Sequence, residues 1–149
     1  MLNRLKKLFA VAETPQQVKQ DNLQLAAAAL LVEAAVMDGT FGDDERAVVL
    51  RLLKERFDLD TGDAATLMDE AETAIAQSNE LYTLTRTIKD NFEHQERIGM
   101  IEMLWEVAYA DGVLDDYESN LVRRLAGLLY VSDRDSGEAR KRVVAKISI

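Results

Sequence analysis

Apolar residues recur at helical spacing through almost the whole chain, and no run alternates as a strand requires. Leu2, Leu5, Leu8, Phe9 and Ala12 share one face of a short predicted helix, with Arg4, Lys6 and Lys7 elsewhere on its wheel. Pro15, the only proline, stands where a longer helix can begin, at about Pro15 or Val18. From Leu25 to Met37 that helix is apolar on every face except at Glu33, which predicts a central, buried position. Gly39 can take the left-handed conformation that ends it.

Asp43 or Gly42 opens the next predicted helix, with Val48, Val49, Leu52, Leu53 and Phe57 on one face and Arg46, Arg51, Lys54 and Arg56 mostly on another. The stretch from Asp58 to Asp63 reads as a turn. A helix then covers Ala64 to Ala76, with Leu67, Met68, Ala71 and Ile75 inward. Ser78-Asn79 marks the start of another carrying Leu81, Leu84 and Ile88. Glu93 to Ala110 forms a second long helix, whose partner begins near Asp116 and is lined by Leu121, Leu125, Leu128 and Leu129. Ser132-Asp133 caps a last helix ending near Lys146. The expectation is an all-α protein of one domain over 1–149.

One pattern occurs twice. Leu31 to Glu45 and Leu104 to Glu118 align at a constant offset, 111 minus 38, or 73 residues, which superposes Glu33 on Glu106, Asp38 on Asp111, Gly39 on Gly112, Asp43 on Asp116 and Glu45 on Glu118. The match continues with Val48 over Leu121, Leu52 over Leu125 and Phe57 over Tyr130. Identity in acidic residues and a glycine, among apolar positions that vary only in size, predicts two pseudo-symmetric helix-turn-helix repeats, 25–57 and 98–130.

Composition narrows the chemistry. Cysteine is absent, which excludes disulfides and thiolate ligands, and His94 is the only histidine, so a metal would sit on oxygen and be a hard cation such as calcium, magnesium or manganese. A net charge of -9 argues against nucleic acid as a partner. No stretch reaches the roughly 20 apolar residues of a membrane span. The apolar run after Lys7 ends at Glu13, short for a secretory signal, so the chain reads as cytoplasmic. The basic helix over 1–12 either docks on an acidic body or touches a protein partner or an anionic membrane surface.

Glu33 has Ala29, Leu30, Val36 and Met37 as helical neighbours, so its carboxylate must be protonated, hydrogen-bonded or bound to a cation. The expectation is a buried side chain receiving several hydrogen bonds. Glu106 stands among Met103, Tyr109 and Ala110 with Glu102 one turn earlier, which deepens the problem. Asp38 and Asp111 belong to Asp-Gly turns, and Glu45 and Glu118 fit the third position of the following helix, where they can cap it. Arg46, the nearest base in sequence, has Ser119 as its counterpart. Two readings stand. Glu33, Asp38, Glu45, Glu106, Asp111 and Glu118 hold a divalent cation, or they only cap helices in a module that recruits a partner. An EF-hand is excluded, because glycine falls second rather than sixth and Val49 or Val122 occupies the twelfth position. No P-loop, G-x-S-x-G or H-E-x-x-H is present, and His94 is expected to face solvent, so an enzyme is not expected.

The turns Val36-Met37-Asp38-Gly39 and Tyr109-Ala110-Asp111-Gly112, each preceded by Glu33 or Glu106 and followed by Glu45 or Glu118, resemble the TerB-like tellurite-resistance family. The resemblance spans Leu23 to Ser132, a core of 23–132 that leaves 1–12 and the last helix, 133–149, outside it. Met37 departs from the usual small residue. The resemblance implies an all-helical domain of two related halves, a central acidic cluster suspected of holding cations, and a role in tellurite or stress response.

Overall fold

The computed structural model describes residues 15–36, 42–77, 81–110 and 116–147. Seven helices and no strand occur among them: α1 (Pro15–Val36), α2 (Asp43–Phe57), α3 (Thr61–Gln77), α4 (Leu81–Asn91), α5 (His94–Ala108), α6 (Asp116–Leu128) and α7 (Asp133–Ile147). The basic helix expected over 1–12, the two Asp-Gly turns and Ser78-Asn79 lie outside the described residues.

Two helices form the centre. On α1, Ala26 to Val32 and Ala35 are buried, and the run of four alanines lets neighbouring helices approach closely. On α5, every residue from Met100 to Ala108 is buried. Apolar side chains all round a helix require protein on all sides, and each central helix has it. α1 packs against α2, α3, α4 and α5, while α5 also contacts α2, α6 and α7. The most extensive pairings are α1 with α3 and α5 with α7. Trp105, fully buried on α5, donates its indole N–H to Ser136 Oγ on α7 at 3.2 Å. Arg46 on α2 clamps α3 through two bonds to Glu72, at 2.9 and 3.1 Å.

Helix ends show how the sequence offset continues. The starts of α2 and α6, Asp43 and Asp116, lie 73 residues apart, and Val49, Leu52 and Leu53 correspond to buried Val122, Leu125 and Ala126. Both helices then stop in the same way. Asp58 (φ 53°) and Tyr130 (φ 57°) take the left-handed conformation, and the next residue donates back to the last turn, Leu59 N to Lys54 O at 3.1 Å and Val131 N to Ala126 O at 2.8 Å. This equates Asp58 with Tyr130, an offset of 130 minus 58, or 72, whereas the sequence alignment set Phe57 over Tyr130. The 72-residue register continues into the following caps. Asp60 Oδ1 accepts from Asp63 N at 2.7 Å, and Ser132 Oγ accepts from Asp135 N at 3.1 Å. The cap at Asp60 lets α3 begin at Thr61, three residues before the pattern of apolar positions announced it.

Candidate functional site

Glu33 lies on α1 among the buried alanines and leucines and is only 8% exposed. Burial pushes its carboxyl above the usual carboxylate range. The expected hydrogen bonds are not there: among the described residues Glu33 has no hydrogen-bond or ion-pair partner. An apolar helix face surrounds it on α1, and the turn that follows, residues 37–41, is outside the described set.

Its counterpart Glu106 is equally buried, at 7%, but it is neutralised. Arg51 Nη2 on α2 approaches Glu106 Oε1 to 3.6 Å, and Lys146 Nζ on α7 approaches it to 3.7 Å. One turn earlier, Glu102 collects three cations. Arg56 Nη2 donates to Oε2 at 3.0 Å, Arg142 Nε donates to Oε1, and Lys146 Nζ lies 3.8 Å from Oε2. Burial alone would raise the Glu102 pKa, but the hydrogen bonds and charges of Arg142 and Arg56 outweigh it and hold the group below its ordinary value.

Two buried carboxylates on α5 are thus held between bases from α2 and α7. In the sequence the nearest base, Arg46, has Ser119 as its counterpart, and Arg51 and Arg56 read only as lying mostly on another face of their helix than the apolar stripe. The signal was present all the same. Glutamates at i and i+4 on an otherwise apolar helix require cations from elsewhere in the fold. At the 73-residue offset the position matching Glu102 is Ala29, only 1% exposed, so no charge stands there on α1.

Glu45 and Glu118 both line one small cavity between α1, α2, α5 and α6, together with the paired positions Ala34 and Val107, and Ala35 and Ala108. Its volume, about 20 Å³, accommodates one water molecule or one ion. Glu45 also accepts the Gly42 N–H at 3.2 Å, the capping role read from the sequence. Asp38 and Asp111 lie outside the described residues, among which no group of three or more carboxylates or imidazoles is gathered as a metal site. The donors at the cavity are oxygens, which fit a hard cation. His94 is half exposed, 3.6 Å from Asp135, and takes no part.

A family model described as tellurite resistance protein TerB matches residues 24–141. The chain belongs to the TerB family. The match enters α7, beyond the Leu23 to Ser132 span that carried the resemblance, and so takes in Ser136, the partner of Trp105. Comparison with curated proteins and with solved structures gave no significant match. The all-α architecture is that of a TerB domain, and no helix among the described residues is long and apolar enough to cross a membrane.

Proposed function

We propose that this TerB domain is a non-enzymatic, cytoplasmic binding module acting in tellurite or related stress response, and that its acidic turns hold one hard divalent cation, calcium, magnesium or manganese. The observation that carries the reading is that Glu45 on α2 and Glu118 on α6 line the same cavity of one-ion size. Glu33 supports it as a buried carboxylate with no basic partner among the described residues. Glu33, Asp38, Glu45, Asp111 and Glu118 would supply the oxygens. Glu106, already between Arg51 and Lys146, would contribute charge from outside the set. The cation would lower the repulsion between like charges gathered at the joint of the two halves.

A ligand that binds only the folded state raises the melting temperature with its concentration. The test is a thermal melt in chelator and in millimolar calcium, magnesium or manganese. The expected result is a rise with metal, abolished by Asp38→Asn with Asp111→Asn while the helical circular dichroism is retained. Identical melts with chelator and metal would remove the cation from the reading.

The Glu45 bond to Gly42 N–H and the ion pairs of Glu106 favour a second reading, in which the acidic residues only cap and brace helices and the module works through a protein partner.

A further inference from the structure

A contrast with the acidic character of the chain lies on the surface between α4 and α6. A groove of about 480 Å³ there is lined by Arg86, Lys89, Thr83, Thr87, Leu128 and Tyr130 among others, and among the described residues no carboxylate side chain lines it. Arg86 is exposed and makes no ion pair among the described residues. Lys89 rests 4.9 Å from the centre of the Tyr130 ring, with Asp90 at 3.3 Å behind it. Arg86 and Lys89 give the wall its donors, while the Thr87 hydroxyl is spent on the Thr83 carbonyl at 3.0 Å.

Tyr130 is an unusual choice for its place. It closes α6 in the left-handed conformation, φ 57°, where glycine is the ordinary residue and a bulky side chain is strained. Its ring is not spent on packing either, since the residue is 68% exposed. The equivalent corner after α2 uses Asp58, a residue type found more readily in that conformation. A strained aromatic residue held open beside two cations loses stability and gains contact surface.

We infer that this groove, lined by Arg86 and by Lys89 over the Tyr130 ring, binds an acidic peptide segment of a partner protein. The cations select carboxylates, and Tyr130 and Leu128 offer an apolar surface between them. The volume is that of a ligand pocket holding several side chains, far larger than a single inorganic anion needs. The net charge of -9 repels extended polyanions at long range, whereas a short segment is recognised by the local field of the groove.

The test is fluorescence anisotropy with a short labelled peptide of alternating aspartate and leucine, run in chelator so that the cation reading is not involved. Binding to the unaltered chain is expected, weakening as salt rises. Arg86→Ala with Lys89→Ala should weaken it at least about tenfold. Tyr130→Gly should also weaken it while leaving the melting temperature unchanged or higher, a separation that a purely structural tyrosine would not give. The asparagine–leucine peptide should not bind. Absence of binding, equal binding by the asparagine peptide, undiminished binding by either variant, or full displacement of the peptide by millimolar inorganic phosphate would each overturn the proposal.

Discussion

Arg142 on α7 donates its Nε hydrogen to Glu102 on α5, fixing a helix at the edge of the fold to a carboxylate buried in its centre. Arg56 reaches the other oxygen of the same group from α2, so a single side chain joins three helices. Removing one member of such a set leaves its partners without a counter-charge.

Glu102→Gln is therefore expected to cost about 1 to 3 kcal/mol at neutral pH, below the full cost of breaking a buried pair because the cations are partly exposed. The folded pKa of Glu102 is lowered, so its contribution is complete above the ordinary value of about 4.3 and is lost as pH falls through the lowered value. Urea unfolding from neutral pH into acid should show a steeper acid loss for the unaltered chain than for the variant.

Glu33 gives the opposite slope. Its folded pKa is raised by burial, so between about 4.3 and that higher value the folded state holds the proton more tightly, and stability falls as pH rises. Glu33→Gln should remove this slope and make the metal-free protein at least as stable at neutral pH. The several hydrogen bonds expected from the sequence would have made Glu33→Leu cost about 1 to 3 kcal/mol by orphaning donors; with no donor among the described residues, that loss is not expected. Denaturation of both variants in chelator checks the point.

Ser136→Ala orphans the buried indole N–H of Trp105 and should destabilise the protein by about 1 to 3 kcal/mol. Trp105 is the only tryptophan, so its fluorescence reports the α5–α7 contact directly. A midpoint unchanged in a fluorescence-monitored urea titration would show that water replaces the hydroxyl.

An experimental structure should superpose residues 43–53 on 116–126 and residues 58–63 on 130–135, with the one-residue change of register falling inside the second helix of each half. Unrelated paths for these segments would end the repeat reading.

Much of the fold was legible because α1 and α5 are apolar on nearly every face, which only a central helix can be. The boundaries Asp43, Asp116 and Asp133 were legible from cap chemistry. The charge balance was not, because Glu102 and Glu106 are answered by Arg56, Arg51, Arg142 and Lys146 from helices far away in sequence. Periodicity places a residue on a face of its own helix and says nothing about which distant side chain covers it. The register change before Tyr130 was hidden for a related reason. Phe57 and Tyr130 match in chemistry, whereas the backbone at that corner matches Asp58.

The dependence of Glu102 on Arg142 also sets an order on synthesis. Arg142 leaves the ribosome 40 residues after Glu102. Until it does, Glu102 and Glu106 on α5 have only Arg56 and Arg51 of α2 to answer them, and the bases of α7, Arg142 and Lys146, are still missing. Ala29, at the matching position in the first repeat, needs no such counter-charge. A nascent chain interrupted before α7 leaves the apolar face that α7 covers open and its two carboxylates short of Arg142 and Lys146, an exposed surface of the kind chaperones recognise.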